Sequence, residues 1–183
     1  MKKILILTVS MIAFATNNFA QKTVMVGGAA MYPTKNIVEN AINSKDHTTL
    51  VAAVKAAGLA DVLQTAGPFT VFAPTNEAFD MLPAGTVDNL LKEENKTKLQ
   101  GVLKYHVVAG NVSANDIKKL IKANDGKATI KTLNGGNLYA SIDEKGGVWI
   151  WDENGGKAMV TIANVNQKNG VIHVVDHVLL PKM

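Results

Sequence analysis

Between Asn36 and Leu63 apolar residues recur at helical spacing. Ile37, Val38, Ala41 and Ile42 form one stripe, and Leu50, Val51, Val54 and Ala57 form another, which is the period of amphipathic helices. Asp46 stands where a cap for the second helix is expected. Gly58 closes that helix, and Leu59, Val62 and Leu63 predict a further turn. Phe69–Ala73 is a short apolar run stopped by Pro74 and reads as a strand. Thr75 or Asn76 then opens a helix, with Glu77 and Asp80 suited to the positive end of its dipole, and Pro83 ends it. Thr86–Leu91 and Lys96–Lys104 predict two more helices, and Tyr105–Val108 predicts a strand. Ser113 caps a helix running to about Ala123, with Asp116 placed for a reciprocal cap.

Beyond Gly126 the texture changes. Short alternating runs are separated by Asn134-Gly135-Gly136, Gly146-Gly147, Asn154-Gly155-Gly156 and Asn169-Gly170, all of them hairpin signals. The expected strands are Ala128–Leu133, Leu138–Ile142, Val148–Trp151, Met159–Val165 and Val171–Leu180. Helices in the first half and strands in the second imply an α+β domain, not a doubly wound α/β sheet. Residues 21–35 carry no clear period and are broken by Gly27-Gly28 and Pro33. They are expected to form an extended N-terminal arm ahead of a single domain over 36–183.

Residues 1–20 differ from the rest. Lys2 and Lys3 precede the apolar stretch Ile4–Ala15, and the small residue Ala20 follows at a cleavage point. This is the pattern of a secretory signal peptide. The stretch is shorter than the ~20 residues that span a bilayer, and no second apolar span follows it, so a chain exported to a periplasm or cell exterior, without a transmembrane segment, is expected. Cysteine is absent, which removes disulfides and thiol nucleophiles. Stability then rests on a packed core, which about 160 residues can supply. All 19 basic residues are lysine, against 15 acidic residues. Arginine, the usual bidentate reader of phosphate and guanine, is missing, and charges of both signs are interspersed. Both features argue against a nucleic-acid partner.

Several separated blocks, taken in order, resemble one family. Thr48–Leu63 (TTLVAAVKAAGLADVL), Gly67–Phe79 (GPFTVFAPTNEAF), Tyr105-His106 and Asn169–Pro181 (NGVIHVVDHVLLP) are similar to the opening helical segment, the two conserved blocks and the Tyr-His motif of fasciclin-like domains. The resemblance covers roughly Asn36 to the C-terminus. It implies a wedge or sandwich of β-strands flanked by several α-helices. It also implies a non-enzymatic adhesion role, toward a cell-surface or matrix protein or a polysaccharide, with no cofactor. An acidic-isoleucine pair that some animal members use for integrin contact is replaced here by Asn164-Val165, so that recognition does not carry over.

The polar residues inside apolar runs are the candidate chemistry. On an extended strand His173 and His177 would share a face yet stand roughly 13 Å apart at about 3.3 Å per residue, too far for one metal ion. Asp176 would face the other way, so a structural role is expected and no metal site. His106 reads either as a partly buried imidazole steadying the chain near Thr75-Asn76 or, with Tyr105, as part of a contact surface. Trp149 and Trp151, at spacing two, share one strand face, and Tyr139 lies on the neighbouring strand. Such a face either packs against a helix or sheet edge or stacks on sugar rings. Ser44, Ser113 and Ser141 lie outside any nucleophile-elbow context, and no catalytic residue is assigned. Asp143-Glu144 and Asp152-Glu153 read as solvated turn acids without calcium-loop spacing.

Overall fold

The computed structural model describes residues 23–65 and 67–182; the signal-peptide expectation for residues 1–20 lies outside them. The helices are α1 Ile37–Ala41, α2 Thr48–Ala56, α3 Ala60–Gln64, α4 Asn76–Asp80, α5 Thr86–Leu90, α6 Lys96–Tyr105 and α7 Ala114–Ala123. The strands are β1 Val24–Val26, β2 Ala29–Met31, β3 Phe69–Pro74, β4 Val107–Ala109, β5 Ala128–Lys131, β6 Asn137–Ile142, β7 Val148–Trp151, β8 Lys157–Gln167 and β9 Gly170–Val175. Helices fill most of the first half and the sheet most of the second, as the α+β reading requires.

Seven strands form one sheet in the order β4-β3-β9-β8-β7-β6-β5. The peptide N–H of Leu133, just past β5, donates to the carbonyl of Val107 in β4 at 2.7 Å. The two edges of the sheet therefore meet, and it rolls into a near-barrel. Joining the edges removes unpaired strand groups that would otherwise face water or another chain.

Within the sheet, β3 and β9 run parallel, with Val71 opposite Ile172, Phe72 opposite His173 and Ala73 opposite Val174. Both faces of this pair are covered. Val71, Ala73, Ile172 and Val174 pack against Leu50, Val54, Leu99 and Leu103 of α2 and α6. Phe72 and Val175 pack on the other side with Ile117 and Ile121 of α7 and the inward residues Leu138 and Ile150. Burial on both faces is why β9 reads as a nearly unbroken apolar run.

Local chemistry sets many boundaries. Asn36 and Glu39 form a capping box on α1, and Ser113 and Asp116 form one on α7. Thr75 caps α4 by accepting from the Ala78 N–H. The anticipated Asp46 cap on α2 is absent: His47 holds that position and makes no side-chain cap bond. Asn76 acts instead from a distance. Its Oδ1 accepts from the Thr49 N–H at 3.0 Å and the Thr48 hydroxyl at 3.1 Å, and its Nδ2 donates to the Lys45 carbonyl.

Three other expectations are corrected. Within the stretch expected to be an extended arm, residues 24–31 form a β-hairpin. Its turn uses Gly27 and Gly28 at φ +56° and +74°, and Val26 and Met31 enter the core. A Cβ on Gly27 would lie 2.3 Å from the Ser44 Oγ, so only glycine fits this approach. Tyr105 is the last residue of α6 and His106 its C-cap, so the strand begins at Val107; the His106 N–H still bonds to the Leu103 carbonyl and prolongs the helical turn. β9 stops at Val175, well before Leu180.

Candidate functional site

The outer face of the barrel carries the aromatic group. Across β6 and β7, Tyr139 stands opposite Trp151 and Ser141 opposite Trp149; across β7 and β8, Trp149 stands opposite Met159 and Trp151 opposite Lys157. The residues between them, Leu138, Ala140, Ile150 and Ala158, are buried inside. Strand alternation therefore brings Tyr139, Trp149 and Trp151 onto one half-buried surface. The Trp149 indole N–H donates to Asp143 Oδ2 at 2.9 Å, and the Trp151 indole N–H donates to Ser141 Oγ at 2.9 Å. Both rings are thereby pinned. The bond from Trp149 is also the main reason the Asp143 carboxyl sits below its ordinary range.

Lysines overlie these rings. The Lys157 Nζ lies 5.2 Å from the Trp149 ring centre and 5.7 Å from that of Trp151, and the Lys127 Nζ lies 4.4 Å from Tyr139. All are within cation–π range. The result is a row of aromatic rings overlain by two ammonium groups. The aromatic spacing was readable along one strand. Lys127 and Ser141 were not linked to the rings from sequence, and Asp143 was read as a solvated turn acid, because strand pairing and a turn bring all three to the rings.

Tyr105 and His106 lie inside instead. Tyr105 is completely buried and His106 is 3% exposed, so neither presents a contact surface. The Tyr105 hydroxyl donates to the Asn137 carbonyl at 2.6 Å and accepts from the Glu153 N–H at 3.1 Å. Desolvation pushes its pKa up to about 12. The His106 Nδ1–H donates to the Val102 carbonyl, and its Nε2 accepts from the Leu179 N–H at 3.0 Å. This fixes a neutral tautomer, and burial pushes the pKa down to about 4. The expected tie to Thr75-Asn76 is replaced by one to the C-terminal segment. Asp152, expected to be solvated, is also buried. It accepts from the N–H groups of Asn154, Gly156 and Leu180.

The terminal histidines part company. His173 is buried within β9, stacked 5.6 Å from Phe72. Its Nε2–H donates to the Val112 carbonyl at 2.9 Å, and its Nδ1 accepts from the Asn164 N–H. Desolvation lowers its pKa. His177 lies beyond the strand and pairs with Asp176 at 2.8 Å at the surface. The two do not share a strand face, because the chain bends at Asp176, whose Oδ1 accepts from the Met159 N–H. Among the described residues no three His, Cys, Asp or Glu side chains cluster to hold a metal. Ser44 and His47 touch at 2.9 Å and are both buried, and the Ser44 hydroxyl packs against the Gly27 turn.

Comparisons with known proteins agree with this architecture. The fasciclin domain model matches residues 45–181. The chain is 43% identical over 172 residues to protein sll1483 of Synechocystis sp., covering 94% of this chain and 88% of that one. It is 34% identical over 146 residues to immunogenic protein MPB70 of Mycobacterium bovis, covering 77% and 66%. It is 37% identical over 132 residues to transforming growth factor-beta-induced protein ig-h3 of Sus scrofa, covering 72% of this chain but 17% of that protein. Among solved structures, a FAS1 domain pair from the insect cell adhesion molecule fasciclin I superposes with a TM-score of 0.69 at 20% identity, covering 80% of this chain and 51% of the pair; at that identity the likeness speaks for the fold. The near-barrel, the parallel β3–β9 pair and the sequence match over both conserved blocks lead to one conclusion: the chain belongs to the fasciclin domain family.

Proposed function

We propose that this protein is an exported, non-enzymatic binding module that recognises a cell-surface, matrix or envelope component through the outer face of its barrel. The observation that carries the reading is the Tyr139–Trp149–Trp151 surface, held rigid by the indole bonds to Asp143 and Ser141. Fixed aromatic planes lose little side-chain freedom on binding, which favours affinity from a small contact area. Family membership supports an adhesive role, since the insect relative of the same fold is a cell adhesion molecule. Labelled protein should bind intact cells or envelope fractions, and the W149A/W151A double variant should lose most of that binding while keeping its circular dichroism spectrum. Equal binding by the two proteins would remove this face from the proposal.

A second reading makes the ligand a carbohydrate. Aromatic planes at strand spacing suit stacking on sugar rings once the Lys127 and Lys157 side chains that lie over them swing aside, and the same ammonium groups favour an acidic polysaccharide. Titration with uronic-acid polymers should then change tryptophan fluorescence more than neutral glucans do, and the effect should weaken with salt as exposed charges are screened. A flat response to both polymer classes would overturn this reading.

A further inference from the structure

The helical half of the molecule holds a void that the aromatic face does not use. An apolar cavity of about 250 Å³ lies among α1, α2, α3 and α6 over the strands β3 and β4. Its wall includes Ala41, Val51, Leu59, Leu63, Leu103 and Val107. Protein interiors are close-packed and hold few voids larger than a water molecule. An apolar cavity of ~150 Å³ is already enough to stay dry and take up benzene. Here small and β-branched residues on facing helices leave more room than that.

The wall and the rim differ in chemistry. His106 is in the wall, but both its nitrogens are bonded elsewhere, so it offers the cavity no free polar atom. Lys55 and Lys104 are the charged residues of the lining, and no carboxylate joins them. Among the described residues neither lysine has an ion-pair partner. Val62 and Leu133, also in the lining, are 48% and 41% exposed, so the cavity reaches the surface. Lysine stems pack on apolar surface while their ammonium groups stay in water, which places positive charge at the mouth and hydrocarbon behind it.

The geometry points to a binding site for a single-chain carboxylate amphiphile, its tail in the cavity and its head at Lys55 and Lys104. Scaled from the ~150 Å³ that accommodates the six carbons of benzene, the cavity holds a tail of about ten carbons. This site is independent of the aromatic face, so either proposal can fail alone.

The test is calorimetric titration of the purified protein with straight-chain carboxylates from butanoate to tetradecanoate, and with decanol. Affinity should rise about fourfold per methylene up to about ten carbons and then level off. The surface double variant K55E/K104E should bind decanoate about tenfold more weakly or worse, with decanol binding unchanged, since only the anionic head meets the lysines. A41L, which fills the cavity from α1, should weaken both ligands, and W149A/W151A should weaken neither. Absence of decanoate binding, equal affinity in wild type and K55E/K104E, or sensitivity to W149A/W151A would each overturn the site. So would binding to phosphatidylglycerol vesicles without binding of monomeric decanoate, which would mark a membrane-contacting surface in its place.

Discussion

His106 and His173 are imidazoles placed where water does not reach, and each has both nitrogens committed to backbone groups. Removing such a partner leaves buried donors and acceptors unpaired, and truncation also opens a void. His106→Ala should therefore lower unfolding free energy by roughly 2–4 kcal/mol, measured by urea denaturation. The same residues make stability depend on pH. Burial lowers the pKa of His47, His106 and His173 in the fold, to about 4 for His106, from an ordinary value of 6.5. Below 6.5 the unfolded chain binds protons that the fold refuses, so this stability is complete above about pH 6.5 and is lost as pH falls toward 4. Glu77, Asp116 and Asp143, held below their ordinary values by hydrogen bonds, add their loss only at more acid pH. Urea midpoints measured from about pH 7.5 to 4.5 should thus fall before the carboxylates titrate, and His106→Ala should flatten the fall. A profile level down to pH 4.5 would contradict the buried neutral histidines.

At the scale of elements, the capping box of α7 was legible because Ser113 and Asp116 are three residues apart and each satisfies the other's neighbourhood. The cap of α2 was not, because Asn76 reaches it from 27 residues away. Propensity pointed to Asp46, and tertiary packing supplied another residue. Asn76→Ala should cost about 1–2 kcal/mol and speed amide exchange at Thr49, whose N–H it accepts from, above that of the α7 N-terminus. Protection unchanged at the Thr49 amide would show that Asn76 is not its cap. The misread strand at Tyr105 has a related cause. Aromatic and β-branched residues favour a strand, yet α6 continues through Tyr105 because its hydroxyl finds partners at Asn137 and Glu153 inside the barrel.

On the scale of the whole molecule, the helical core and the barrel core share the strands β3 and β9, whose alternate residues enter each. Neither core keeps its floor if the other dissolves, so the domain should unfold as one cooperative unit. Both tryptophans lie in β7, while the helices dominate the far-ultraviolet signal. Denaturation followed by tryptophan fluorescence and by far-ultraviolet circular dichroism should give coincident midpoints; separated transitions would show that the halves are independent.

What the residues alone determined was whatever depends on near neighbours. Helical periods, glycine turns, the cap at Ser113, a helix start at Thr75 or Asn76, the α+β class and the common face of Trp149 and Trp151 all follow from spacings of a few positions. Tertiary structure decided the rest. It paired Phe69–Pro74 with Gly170–Val175, brought Leu133 against Val107 to join the sheet edges, turned Tyr105 and His106 inward, and laid Lys157 over the tryptophans. It also left a cavity between helices that no local pattern announces. Spacing along a chain reports which side of an element a residue occupies; which other element covers that side depends on contacts made across a hundred residues.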